Sequence, residues 1–150
     1  MYTRTKSSLA LWLLCISIPL MLTACGRSDG LVTIRGTVTM DGEPVQDGSI
    51  SLMPVDGAGI TGGGLVRNGS FTAESSPGEM AVQIYGHRTV QKENPTQEEI
   101  ERGLATDRVQ YLPAAYNQQS KLRIIVSPSD RRFDFELNSQ GNIPSGMGEP

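Results

Sequence analysis

A small all-β domain is the fold this sequence predicts: a seven-stranded antiparallel β-sandwich with one short helix in a long loop. Three observations predict it. From residue 31 onward, apolar side chains recur with a period of two. Pairs rich in Gly, Pro, Asn and Asp break that alternation into short runs, as turns between strands do. A helical pattern is confined to one stretch near residue 98. With 17 Gly, 9 Pro and only 5% aromatic residues, the core must be assembled largely from Val, Ile, Leu and Met.

The first run places Val32, Ile34, Val38 and Met40 on one face, with Gly36 between them. Thr33, Arg35, Thr37 and Thr39 fall on the other, which describes a half-buried strand. Gly36 inside it marks a close backbone approach. Asp41-Gly42 turns the chain, and Pro44, lacking an N–H, fixes the chain at an edge. Ile50 and Leu52 then alternate with Ser49, Ser51 and Met53 until Pro54. Glycines 57, 59, 62, 63 and 64 weaken the next run as far as Leu65-Val66-Arg67. Asn68-Gly69 is the clearest local signal, because both central residues of a type I′ hairpin turn need φ > 0. Phe71 and Ala73 oppose Ser70, Thr72 and Glu74; after Pro77-Gly78, Met80, Val82 and Ile84 alternate with Ala81, Gln83 and Tyr85. Leu122, Ile124 and Val126 form a later strand face, Pro128-Ser129-Asp130 turns the chain, and Phe133, Phe135 and Leu137 alternate with Arg132, Asp134 and Glu136.

Between residues 87 and 116 the alternation stops. Residues 95–103 read as a short helix, with Thr96 as its cap, Glu98 and Glu99 in the positive first turn and Gly103 at its end. Leu112, Pro113 and Tyr116 look like a hydrophobic clasp returning the chain to the sheet. A connection this long is uncommon in a compact domain and is often a binding loop; the competing reading is a cover over a sheet edge. Gly, Pro and polar residues dominate residues 139–150, so a disordered tail is expected there.

The N-terminus has another character. Arg4 and Lys6 precede an apolar run from residue 9 to 22 with no acidic residue. A basic start, a short apolar run and small residues make a secretory signal, while the run, interrupted by Pro19, is short for a transmembrane helix. Leu22-Thr23-Ala24-Cys25 resembles the bacterial lipobox, which implies diacylglycerol on the Cys25 thiol, cleavage before Cys25 and acylation of the new amine. Several acyl chains on one residue make a durable anchor where one is marginal. Residues 1–24 are then the signal and residues 25–30 the lipidated Cys and a flexible tether. Cleavage would remove Cys15, leaving no partner for an intrachain disulfide. It would also remove Arg4 and Lys6, taking the formal charge from −3 to −5. Without clustered Lys and Arg, nucleic acid is a poor candidate partner.

A family resemblance covers residues 34–137. Gly36-Thr37-Val38, Asp41-Gly42-Glu43-Pro44-Val45, Gly69-Ser70-Phe71 and Pro77-Gly78-Glu79-Met80-Ala81-Val82 resemble carboxypeptidase-regulatory-like domains, which have a transthyretin-like (prealbumin-like) sandwich. Leu112-Pro113-Ala114-Ala115-Tyr116-Asn117 is similar to a segment of small planctomycete-type lipoproteins. Met80 departs from the family, which usually has an aromatic residue there. The resemblance implies a fold and an accessory role rather than an activity.

No residue set points to catalysis or to a cofactor. His87 is the only His and reads as a loop residue at a strand end; no Cys/His cluster or HExxH accompanies it. No Ser lies in a GxSxG setting. Asp41, Glu43, Asp47 and Asp56 lack the spacing of a calcium loop and read as turn formers. Gly62-Gly63-Gly64 lacks the Lys of a phosphate loop. Glu98, Glu99 and Glu101 read as solvated. The expectation is therefore a non-enzymatic, membrane-anchored envelope lipoprotein serving as an interaction or structural module. The alternative is a small-ligand or glycan-binding lipoprotein that uses the 87–116 loop, with Tyr85, Tyr111 and Tyr116 as the available aromatics.

Overall fold

A computed structural model describes residues 30–148; the expected signal, Cys25 and nearly all of the tether lie outside the described residues. The strands are β1 (Val32–Met40), β2 (Glu43–Pro44), β3 (Asp47–Pro54), β4 (Gly62–Arg67), β5 (Ser70–Ser75), β6 (Gly78–Gln91), β7 (Thr106–Gln110), β8 (Leu122–Val126) and β9 (Arg132–Leu137). One α-helix, α1 (Gln97–Glu101), and one 3₁₀ turn, Ala114–Tyr116, complete the described elements. The all-β class and the single short helix agree with the alternation in the sequence.

The hydrogen-bonded order is β2-β1-β5-β4-β3-β6-β7, with β8 also on β6 and β9 also on β1. Every pairing is antiparallel except β1 with β9, which is parallel from Arg35↔Arg132 to Met40↔Leu137. Wholly antiparallel pairing was the expectation, and connectivity explains the exception. Strands β8 and β9 are consecutive in the chain, yet they pair with β6 and β1 rather than with each other.

That connection also dictates the curvature. From β9 through β1, β5, β4, β3 and β6 to β8, a flat sheet would span about 29 Å at ~4.8 Å per strand gap. Residues 127–131 bridge the two ends with six Cα steps, which reach at most about 21 Å. The sheet therefore cannot lie flat, and it curls into a half-barrel.

The concave side holds one core. Ile34, Val38, Ile50, Leu52, Val66, Val82, Ile84, Leu122 and Phe135 are fully or almost fully buried there, and Phe71 packs against Phe135 with ring centroids 5.9 Å apart. Met80 is buried as well, so an aliphatic side chain fills that position without leaving it open. The turns fold as their residues require: Asp41 and Gly42 have φ of 51° and 85°, Asn68 and Gly69 of 48° and 75°. The three-glycine run is strand rather than loop. A Cβ at Gly62 would lie 1.8 Å from the Glu74 carbonyl oxygen, and at Gly64 2.1 Å from that of Thr72. The absent side chains thus let β4 approach β5 closely.

Residues 139–148 differ from the expected disorder. The Tyr116 hydroxyl donates to the Asn142 carbonyl at 2.7 Å, the Arg123 N–H donates to the Met147 carbonyl at 2.8 Å, and Ile143 and Met147 pack against the core. Two apolar side chains and three turn-forming Gly and Pro residues suffice to lay this stretch over the sheet, although its mean composition is polar.

Candidate functional site

The segment singled out in the sequence folds as a projecting two-stranded arm. β6 is 14 residues long. Its first ten residues are held by β3 and β8. From His87 to Gln91 it pairs with β7, in the register His87↔Gln110 to Gln91↔Thr106. The alternation is missing here because neither face is buried: Arg88, Thr89, Gln91, Thr106, Asp107 and Arg108 are all exposed. Thr89, Val90, Thr106 and Val109 still favour an extended backbone, being β-branched. The expectation of a structureless loop with one helix is corrected to a hairpin with the helix at its tip.

The tip is organised by the helix start. Thr96 Oγ1 accepts from the Glu99 N–H at 3.2 Å, and the Glu99 carboxylate accepts from the Thr96 N–H at 2.8 Å, a reciprocal capping box. Lys92 Nζ donates to Glu99 Oε1 at 2.7 Å. The Lys92 ammonium, assisted by the Thr96 donors, pulls the Glu99 carboxyl from 4.5 down to about 2. Glu99 is thus a structural tie, whereas Glu98 pairs with Arg102 on the exposed side at 3.0 Å. Gly103 has φ of 70° and ends the turn. Two large apolar side chains remain outside: Ile100 is 51% exposed and Leu104 50%.

The root is braced by charge. Asp47, at the start of β3, lies opposite Arg67 of β4 and His87 of β6. Arg108 of the arm donates to Asp47 Oδ2, through Nε at 3.1 Å and also through its terminal nitrogen, while Arg67 takes Oδ1. The Arg108 hydrogen bonds are the main reason the Asp47 carboxyl sits below its ordinary range. Gln110 adds a neutral brace: its Oε1 accepts from the Gly86 N–H at 3.0 Å and its Nε2 donates to the Leu112 carbonyl at 3.1 Å. On the other face of the arm the Arg88 guanidinium lies 5.7 Å from the Tyr111 ring centre.

The clasp behaves as its residues suggested. Leu112, Tyr116 and Asn117 are buried. Asn117 Nδ2 donates to the carbonyls of Pro113 at 3.0 Å and Leu112 at 3.3 Å, closing the 3₁₀ turn on itself. Tyr116 accepts from the Asn138 N–H at 3.0 Å while donating to Asn142. The Leu-Pro-x-x-Tyr-Asn segment is therefore a self-capped plug.

The other sequence candidates scatter. His87 sits within β6 rather than in a loop, and its Nδ1 is buried without a hydrogen-bond partner among the described residues. Asp56 accepts from the Ala58 N–H at 2.8 Å, as a turn-forming carboxylate does, whereas the Asp41 carboxylate accepts from the Ser139 N–H at 3.0 Å and ties its turn to the C-terminal stretch. Glu43 stands exposed in β2. Asp47, a turn former by its sequence setting, is instead the ion-paired foot of the arm. Among the described residues no three His, Cys, Asp or Glu side chains are grouped to hold a metal. The tyrosines do not form one platform: Tyr116 belongs to the core, Tyr85 lies on the convex face opposite Ser49, and Tyr111 abuts Gly86 on the other face. No described helix is long and apolar enough to cross a membrane.

In comparisons with known proteins, no family model, no curated protein and no solved structure matches this chain.

Proposed function

We propose that this chain is a non-enzymatic lipoprotein, exported and held to the cell envelope by acyl chains on Cys25, whose β-domain presents the arm to an envelope partner. The arm is the observation that carries this reading. It is braced at its foot by Asp47 and capped at its tip by Glu99, yet it leaves Ile100 and Leu104 in solvent. Apolar groups displayed on an ordered projection suit recognition, because little ordering remains to oppose binding. Direction agrees as well. Gly78 of β6 lies at the end of the sheet where Val32 enters β1, and Gln91 lies at the other. A 14-residue strand spans about 45 Å, so an anchor at Cys25 leaves the arm pointing away from the bilayer.

The fold reading belongs to the same proposal. Without the two-residue β2 and the arm strand β7, the path β9-β1-β5-β4-β3-β6-β8 has seven strands. Its curl, with both ends joined by residues 127–131, suits a transthyretin-like sandwich of the carboxypeptidase-regulatory-like kind. Such domains serve as accessory modules, which fits an interaction or structural role.

Two measurements test the proposal. Mass spectrometry of the protein from membranes should find an acylated N-terminal peptide beginning at Cys25; an unmodified mature terminus elsewhere overturns the anchor. A photo-crosslinking residue at position 100 should capture an envelope component that the same residue at position 72, on the convex face, does not. Equal capture at both sites overturns the arm as the recognition element.

A further inference from the structure

We infer that the β3–β4 loop, residues 55–61, is a membrane-contact loop that sets Val55 and Ile60 into the lipid headgroup region. The inference rests on the Cys25 anchor proposed above. Of the large apolar side chains left in solvent, Val55 is 47% exposed, Ile60 51% and Ile125 71%. All three lie at the end of the sheet where the described chain begins. Val32 of β1 pairs with Ser75, and the neighbouring Ser76 Oγ accepts from the Ile60 N–H at 2.9 Å. The Val55 N–H donates to the Glu79 carbonyl at 3.0 Å, and Glu79 lies opposite Ile125 in the β6–β8 ladder.

The occupant is fixed by where the chain leads. From Cys25 to Gly30 is five residues, at most about 18 Å of extended chain. Acyl chains on Cys25 therefore hold this end of the domain within that distance of the bilayer, whereas the arm tip is tens of ångströms away. The loop is shaped to present its side chains rather than to bury them. Its two ends are tied to Glu79 and Ser76, Gly57 and Gly59 take φ of 70° and 109°, and the Asp56 carboxylate is turned onto the Ala58 N–H. Glu79 limits the depth, since its carboxylate must stay hydrated; the contact is interfacial, where small apolar surfaces add to an acyl anchor.

The test uses the full chain, purified from membranes and reconstituted in phosphatidylcholine–phosphatidylglycerol vesicles. An environment-sensitive fluorophore is placed on Ile60→Cys and, separately, on Val55→Cys and Ile100→Cys. With Cys15 removed and Cys25 acylated, each variant carries one free thiol. Positions 55 and 60 should show blue-shifted emission and lose fluorescence when the lipids carry a shallow spin label; position 100 should do neither. Protein that floats with the vesicles while positions 55 and 60 stay unquenched overturns the loop contact and leaves the anchor standing. Protein that does not float, with Cys25 itself labelled, overturns both. Blue-shifted emission at position 60 without vesicles, growing with protein concentration, assigns the loop to a second copy and likewise overturns the inference.

Discussion

Gly36 faces the backbone of Phe133 so closely that a Cβ at position 36 would lie 1.7 Å from the Phe133 carbonyl oxygen and 3.0 Å from the Phe71 ring. This contact is where the parallel strand β9 docks on β1, at one end of the curled sheet. A side chain there cannot be accommodated by rotating a neighbour, because the obstacle is backbone. Gly36→Ala should destabilise the domain by about 3 kcal/mol or more, the upper range for overpacking. Chemical denaturation measures it, and a change under about 1 kcal/mol would show that β9 can shift away from β1.

Tyr116 joins the clasp to the C-terminal stretch. Its hydroxyl accepts from Asn138 and donates to Asn142, with the ring fully buried. Tyr116→Phe keeps the ring and removes the bridge between the half-buried Asn138 N–H and the Asn142 carbonyl. The expected cost is about 1–2 kcal/mol, with faster amide exchange at Asn138 and Asn142. Unchanged exchange at Asn142 would mean that Ile143 and Met147 alone hold the stretch in place.

Legibility in the sequence tracked burial. Val32, Ile34, Ile50, Leu52, Phe71, Met80, Phe133 and Phe135 occupy the predicted inner faces because each has an apolar neighbour two residues away. Asn68-Gly69 announced its turn through backbone chemistry alone. Strand β7 and the last residues of β6 were invisible, since a strand solvated on both faces leaves no period of two. The strand made of Gly62, Gly63 and Gly64 was hidden for another reason: its cause is the carbonyls of Glu74 and Thr72, remote in sequence. In the candidate site Thr96 and Gly103 were legible from local chemistry. The foot of the arm was not, because Asp47 meets Arg108 across 61 residues.

The tip of the arm should respond to pH at the extremes only. Glu99 has its carboxyl pulled down from 4.5 to about 2, first by the hydrogen bond from Lys92 and then by Thr96. A depressed acid contributes stability that is present above 4.5 and is lost as pH falls through about 2. Lys92, raised above 10.5 by Glu99, contributes below 10.5 and loses that contribution as pH climbs through its raised value. Amide exchange at Thr96 and Leu104 should therefore show constant protection from pH 5 to 9, after correction for intrinsic rates, and a loss near pH 2. An NMR titration of Glu99 with its midpoint at 4.5 would contradict the tie.

The outer part of the arm should be removable without unfolding the domain. None of the fully buried core residues lies between Arg88 and Tyr111. The contacts that fix the arm to the sheet sit at its foot, where Arg108 meets Asp47 and Gln110 meets Gly86 and Leu112. Beyond them the arm is stabilised by its own ladder, capping box and ion pairs, which are exposed or half-buried, contribute no residue to the core cluster and are worth little to it. Replacing residues 92–105 by a two-residue Asn-Gly link keeps Gln91 opposite Thr106 and offers a turn suited to their register. The shortened protein should retain its β-type circular dichroism and lose no more than about 1 kcal/mol, since a shorter loop also costs less entropy to close. It should also fail to co-purify with the envelope component captured from position 100 of the full-length protein, while Cys25 acylation is unaffected. A shortened protein that fails to fold would make the tip part of the folding unit. One that folds and still recovers the same component through other sites would move recognition away from Ile100 and Leu104.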